Sequence, residues 1–351
     1  MTRRWLVVLQ VVLGIALAAG LAQAGLSWLA SARAARVPAG HLVLRPPADV
    51  QALALVEGLV WSGGKDGLAL FDTQARPQPV PAGLAALRFV GALLSEPGGS
   101  VWIAHEDGVT QWRRPAAGQD ASIVHYSSLA GAFPGRGLAL RRDRTGTLWA
   151  GSDRGLARLQ GAAFVPVPLT PEINPMSVDL IYEDRAGTLW LGDGSPRAPG
   201  LVRREADGWR LFTPEHGLPH RSVNTLAEQR GREGLWIGTG FAGAGGAAWL
   251  HQGRWQPVGR AQGLAGDKVR TIVEDSTGRL WFGSEYDGIV VMAATDHQAA
   301  GLTRLAWLTE REGLAGPEVK AVLEHPAGTF WLGTNGGLTR IARLDTGGTA
   351  K

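Results

Sequence analysis

The residues that could do chemistry in this 351-residue chain begin with eight histidines: His41, His105, His125, His216, His220, His251, His297 and His325. Neither an H-E-x-x-H nor a G-x-S-x-G motif is present. Cysteine is absent, which excludes a disulfide framework, a thiolate metal site and a cysteine nucleophile. Single histidines scattered over loops read as solvated groups. No catalytic residue, metal or cofactor is expected from this inventory.

Acidic groups recur in a fixed setting, "EDSTG" from Glu274, "EDRAG" from Glu183, and in altered form "RDRTG" from Arg142 and "EHPAG" from Glu324. Paired carboxylates can serve as general acid and base. Here they sit against Asp, Ser, Thr, Pro and Gly, residues that bond their own backbone or supply positive φ, so the pair reads as the cap of a tight turn between two strands. A second polar set is more suggestive of binding. When Val178, Val223, Val269 and Val319 are aligned, Asp179, Asn224, Arg270 and Lys320 fall at one equivalent position. Arg221, Lys268, Tyr286 and Asn335 lie in the adjoining loops "PHRSVN", "GDKVR", "SEYDG" and "TNGG". Such a group suits a small polar or anionic ligand at a channel mouth; a solvated channel lining is the plainer alternative.

The elements that would carry these residues follow from a repeat. Seven tryptophans, Trp61, Trp102, Trp149, Trp190, Trp236, Trp281 and Trp331, hold one place in a pattern with a period of about 45 residues. Each is preceded by an apolar run and a turn, and followed by a polar loop, a second apolar run and a further short strand. Four strands per unit at this period predict an all-β, seven-bladed propeller of four-stranded antiparallel blades. In "LWFG", strand alternation sends Leu280 and Phe282 to one face and Trp281 with Gly283 to the other. Apolar residues on both faces require a sheet covered on both sides, and the glycine leaves room for the neighbouring sheet.

The seventh unit ends without an outer strand, while "HLVLRP" (His41 to Pro46) stands before the first unit with none of its own. Residues 41–46 are therefore expected to close the last blade and remove an open edge. The expected organisation is an N-terminal membrane anchor or signal peptide over 1–31, a tether over 32–40, the propeller over 41–345 and a tail over 346–351.

From Trp5 to Ser31 no residue is charged, Arg3 and Arg4 precede the run, and Trp5 and Trp28 lie near its ends. Its length favours a membrane-spanning helix over the shorter apolar core of a cleaved signal, although small-x-small sites such as Ala22-Gln23-Ala24 are present. Either way the rest of the chain is expected outside the cytoplasm, periplasmic and anchored to the inner membrane by residues 5–31 if the helix is retained. The net charge of +4 is dispersed, with no basic block, which argues against nucleic-acid binding.

The segments "SVDLIYEDRAGTLWLGD", "KVRTIVEDSTGRLWFGS" and "EVKAVLEHPAGTFWLGT", with the linkers "HGLPHRSV", "QGLAGDKV" and "EGLAGPEV", resemble the two-component regulator propeller repeat. The resemblance covers roughly residues 45–345. It is degraded in the first two units, "LVWSGGKDG" and "VWIAHEDG", where the glycine after the tryptophan is read as lost. It implies an exported sensory propeller of bacterial signalling proteins. The chain carries no kinase or cyclase pattern, so output is expected through a separate signalling or envelope protein. The leading expectation is a non-enzymatic, ligand- or partner-binding sensory propeller. The alternatives are a cell-envelope interaction scaffold and a lyase or hydrolase with a site at the central opening, since a family of streptogramin-cleaving lyases uses a similar frame.

Overall fold

The computed structural model describes residues 38, 40–115, 120–173, 176–294 and 301–344. The expected anchor over 1–31, nearly all of the tether and the tail lie outside the described residues. Among the described residues, no helix is long and apolar enough to cross a membrane.

Seven four-stranded antiparallel sheets follow one another along the chain, each meandering from an inner strand outwards. In blade six the order is Val269–Glu274, Leu280–Ser284, Ile289–Ala294 and Leu302–Leu308. The seventh blade comprises Val319–Glu324, Phe330–Thr334 and Gly337–Ile341, and its outer position is filled by His41–Leu44. That strand runs in register with the end of the chain, His41 opposite Ile341 and Leu44 opposite Leu338. His41 also bonds the Glu312 carbonyl through Nδ1 at 2.9 Å, and Arg45 reaches the carbonyls of Gly336 and Ala315. The first and last parts of the ring are thereby tied together.

The core is divided into seven apolar clusters, one at each junction between neighbouring blades. Blade six shows how the alternation produces this. Leu280 and Phe282 pack with Trp236 and Trp249 of blade five. Trp281 packs with Val319, Phe330 and Leu332 of blade seven. None of the seven repeat tryptophans is more than 3% exposed. The glycine two places after the indole permits the close approach: a Cβ on Gly283 would lie 2.6 Å from the Val319 carbonyl, and one on Gly151 2.1 Å from that of Val178.

Two departures from the sequence reading concern the first blades. Gly63 does occupy the expected position in blade one, where a Cβ would lie 2.4 Å from Val90. Blade two carries Ala104 instead, and the compensation is on its neighbour: Gly137 stands where blades four to seven carry valine, and its missing Cβ leaves room for Ala104. The side chain at that junction thus comes from the tryptophan strand and the gap from the inner strand, the reverse of the usual arrangement.

The acidic pairs have two structural jobs. The second residue, in Asp143, Asp184 and Asp275, accepts backbone N–H groups of its own turn and the indole N–H of Trp149, Trp190 and Trp281 at 2.7, 2.8 and 2.9 Å. The first residue reaches back to the preceding blade. Glu183 accepts from the Arg144 amide, Glu228 from Arg185, Glu274 from Arg230 and Glu324 from Ser276, at 2.6 to 3.2 Å. These latches join blades three to seven in series. Between blades seven and one the corresponding turn residue is Pro326, which has no N–H to give. Blades one, two, five and seven lack the capping aspartate: the indole N–H of Trp331 donates instead to the His325 carbonyl at 2.8 Å, while those of Trp61, Trp102 and Trp236 have no partner among the described residues.

Asp275 is 2% exposed, and its removal would strand five donors. Asp275→Ala should therefore lower the unfolding free energy by about 2–4 kcal/mol in urea titration; a loss below about 0.5 kcal/mol would refute this role. Burial raises the pKa of Asp143 and Asp275, but the bonds from the tryptophan, threonine and turn N–H groups outweigh it and hold both below the ordinary aspartate value. A lowered carboxylate stabilises the fold above its unfolded pKa and loses that effect as pH falls through the folded one. Stability should thus decline below about pH 4, and Asp275→Asn should make the decline shallower.

Candidate functional site

The inner strands of blades one, three, five, six and seven share a local irregularity. Their pairing skips one residue, between Val50 and Ala52, Gly137 and Ala139, Val223 and Thr225, Val269 and Thr271, and Val319 and Ala321. A β-bulge leaves the extra residue unpaired and re-aims its side chain. The skipped residues are Gln51, Leu138, Asn224, Arg270 and Lys320. The matching positions in blades two and four are Gly91 and Asp179, which stand just ahead of their strands, their amides bonded to Ala104 and Gly192. All seven line one cavity of about 360 Å³, together with Asp49, Lys65, Phe89, Arg136 and Gly194.

The four sequence-derived candidates Asp179, Asn224, Arg270 and Lys320 thus meet in one place. The other four do not line the cavity. Lys268 is buried in an ion pair with Glu285 at 2.7 Å and lies over the Phe241 ring. Arg221 faces Glu215 at the surface, at 3.9 Å. Tyr286 is 62% exposed on its loop. Asn335 serves its loop, exchanging bonds with the Glu318 backbone at 3.2 and 3.3 Å. Spacing from the inner valine located the bulge residue; loop residues at other offsets carry no comparable constraint.

The cavity has two dissimilar arcs. From blade five round to blade one its charges are matched. Arg270 pairs with Glu318 at 3.0 Å and approaches Asn224 at 3.4 Å. Lys320 pairs with Asp49 at 2.5 Å and Glu318 at 3.2 Å, and Gln51 donates to Asp49 at 3.1 Å. Asn224 donates to the carbonyls of Gly240 and Val269. This network bridges the seven-to-one junction that lacks a glutamate latch.

The remaining arc, from the far side of blade one to blade four, is built from Lys65, Phe89, Gly91, Arg136, Leu138 and Asp179. Asp179 accepts from the Ser177 hydroxyl at 2.6 Å and the Gly194 amide at 3.1 Å. Lys65 and Arg136 are exposed and have no ion-pair partner among the described residues. Neither was singled out in the sequence; the available signal was their place in a post-tryptophan loop, "SGGKDG", and in an inner-strand entry, "PGRG".

A second polar cluster, also not foreseen, lies in blade two. His105 and His125 stack with ring centroids 5.1 Å apart, and Thr110 Oγ1 bridges them at 2.8 Å to each. His125 Nε2 meets Asp107 at 3.1 Å, and Asp107 also accepts from Ser127, Ser128 and the Leu129 amide. The histidines are twenty residues apart in sequence and meet across strand pairing, which linear spacing does not reveal. Their network pins the loop leading to Arg136. Among the described residues, no group of three or more His, Asp or Glu side chains is placed to hold a metal ion.

Fold and cavity define a seven-bladed propeller with an axial polar site. Within that class, residues 263–286 match the family described as "Two component regulator propeller". No curated protein sequence matches. Among solved structures, the chain resembles the extracellular domain described as that of a hybrid two component system from B. thetaiotaomicron, at 16% identity and a TM-score of 0.66. The likeness covers 87% of this chain and 42% of that one, so the propeller spans less than half of that extracellular domain. It also resembles a streptogramin B lyase, at 13% identity and TM-score 0.58 over 86% of this chain and 95% of that one. A third likeness is to PorZ of Porphyromonas gingivalis, described as a surface component of the type-IX secretion system, at 14% identity and TM-score 0.61 over 90% and 49%. At these identities the likenesses establish a shared fold.

Burial, and then the charge of His125, push the pKa of His105 down to about 4. His105 is thus held neutral in the fold, while its unfolded pKa is near 6.5. Its contribution to stability is complete above that value and is lost as pH falls towards the folded one. Unfolding free energy should fall between about pH 7 and 4, and His105→Gln should flatten the slope over that window in urea titrations at stepped pH. An unchanged slope would contradict this.

Proposed function

We propose that the chain is an exported or membrane-anchored sensory propeller of a bacterial two-component-type system. It binds a small ligand in the axial cavity and passes occupancy of that cavity to a separate signalling or envelope protein. The observation that carries this reading is the chemical variety of the seven equivalent cavity positions: Gln51, Gly91, Leu138, Asp179, Asn224, Arg270 and Lys320. Structural positions of the blades repeat, as the tryptophans and their glycines do. A position that varies from blade to blade on a constant backbone makes a surface with direction, which a ligand requires and a mere lining does not. The repeat family and the fold shared with an extracellular domain of a sensory system support the signalling context. The site is read as one of binding, without turnover.

Full-length protein should be screened by thermal shift against sugars, amino acids, glycan fragments and small organic acids. At least one class should raise the melting temperature by several degrees, since ligand at about 100 times Kd adds about 2.7 kcal/mol. Leu138→Trp, which would fill much of the cavity, should abolish or strongly reduce that shift. Silence across the library, with an envelope protein co-purifying in stable association, would replace this reading with the scaffold one. Turnover of a screened compound that is lost in the same variant would replace it with the lyase or hydrolase reading.

A further inference from the structure

The sensory reading leaves the ligand open, and the two arcs of the cavity narrow it. We propose that the site takes a small organic monoanion with an apolar or aromatic body, its charged group held by Lys65 and Arg136 and its body laid on Phe89 and Leu138. This inference rests on the sensory reading and specifies its ligand.

Charge bookkeeping around the cavity comes first. Four cations line it, Lys65, Arg136, Arg270 and Lys320. Arg270 and Lys320 are matched by Glu318 and Asp49 at 2.5 to 3.2 Å, and Lys320 is only 9% exposed. Drawing either towards a ligand would leave a partly buried carboxylate without its partner. Lys65 and Arg136 have no such commitment among the described residues, so an incoming anion competes with water alone. The chain contains only four lysines, Lys65, Lys268, Lys320 and Lys351, and two of them line this cavity. Arg136 is held at its backbone from both sides: its amide donates to the Asp153 carboxylate at 2.8 Å and its carbonyl accepts from the Asp153 amide. A guanidinium on a fixed backbone presents the forked donor geometry that suits carboxylate, sulfate and phosphate oxygens.

The apolar half is equally local. Phe89 is 45% exposed although it lines the cavity, and its backbone lies in the left-handed region at φ 49°. A bulky non-glycine residue held there is an outlier, and such conformations gather at ligand clamps. Its amide is bonded to the Lys65 carbonyl at 3.1 Å, so the backbones that carry the aromatic ring and one uncommitted cation are joined. The matching positions on this side are Gly91 and Leu138, which put no competing polar group against the ring. An aromatic face flanked by cations favours a planar or apolar body that carries an anionic group.

Size and the remaining carboxylates limit the ligand further. About 360 Å³ is at the small end for a small-molecule site, which spans about 300–1,000 Å³. Asp49 and Asp179 line the same cavity, and a second anionic group on the ligand would meet them. A compact monoanion fits this balance better than an extended polyanion.

The test uses the full chain and isothermal titration at low ionic strength. The probes are phenylacetate and phenyl sulfate, against the largely dianionic phenyl phosphate, phenylacetamide, acetate and inorganic sulfate. The two aryl monoanions distinguish the possible head groups. At least one should bind about tenfold or more tightly than both the neutral amide and the anions lacking a ring. Lys65→Gln and Arg136→Gln should each weaken it by about tenfold or more, and Phe89→Ala should weaken it as well. Melting temperatures should stay unchanged, and Arg254→Gln, on the outer strand of blade five, should bind as the parent does. Equal binding of aryl anion and amide, equal binding of inorganic sulfate, or indifference to Lys65 and Arg136 would each overturn the assignment. If a neutral ligand from the thermal-shift screen binds in a way that Leu138→Trp blocks while the aryl anions fail, this inference falls and the sensory reading survives. If the cavity binds nothing in either experiment, both fall.

Discussion

The structure depends on the burial of one indole per blade between two sheets. A sheet with Leu280 and Phe282 on one face and Trp281 on the other has no surface to offer water, so it is stable only when both neighbours are present. That condition propagates. Each blade needs a successor, the successor needs its own, and the series ends only when the last meets the first. Closure is therefore a requirement of the core, met where Val50, Val60 and Phe71 of blade one pack with Trp331 and Leu338 of blade seven. The strand His41–Leu44 adds a covalent reason for the ends to stay together, because the chain that starts the ring also finishes its last sheet.

The same packing explains why polar chemistry gathers at the axis. Blade faces are committed to neighbours and outer strands to the rim, which leaves the inner strand as the element free to vary. Its first valine is pinned, as Val178, Val223, Val269 and Val319 show by being at most 2% exposed. In five of the blades the next residue is freed by a bulge. One constant and one variable position, side by side and repeated round the ring, give a rigid frame with an adjustable centre. The acidic pairs serve the frame: one carboxylate satisfies its own blade's indole and turn, the other ties the preceding blade, and neither faces the cavity.

How much of this was legible in the sequence depends on whether a feature is local to one unit. The tryptophan period, the W-x-G spacing and the incomplete last unit are linear signals, and the ring is their consequence. The linkers are legible for the same reason: "EHGL", "AQGL" and "REGL" place glycines at φ 95°, 103° and 94°, where a side chain would be strained, ahead of buried leucines. Four cavity residues could be named because a valine fixed their register. The two-fold use of the acidic pair could not be read, since the second partner of Glu274 or Glu324 is an amide one blade away, more than forty residues back in sequence. The His105–His125 stack was hidden likewise, and so was the exchange of glycine and alanine between Gly137 and Ala104. Lys65, Phe89 and Arg136 escaped notice because their units diverge from the pattern, and a divergent unit looks like a weak match before it looks like a site.

That divergence is itself informative. Blades three to seven obey one set of local rules, with capped turns in most of them and latches between neighbours. Blades one and two depart further: Trp61 and Trp102, like Trp236 of blade five, keep buried N–H groups without partners among the described residues, and Asp49 and Phe89 adopt left-handed backbones. Each departure costs stability that the repeated blades must supply. A closed ring can bear such costs because every sheet is held on both sides, so a strained unit is supported by regular neighbours. Where local preference and global fold disagree without an evident packing gain, the disagreement is expected to coincide with function. In this propeller it coincides with the arc of the cavity that keeps uncommitted cations and an exposed aromatic ring, while the arc built mostly from regular blades has its charges matched internally.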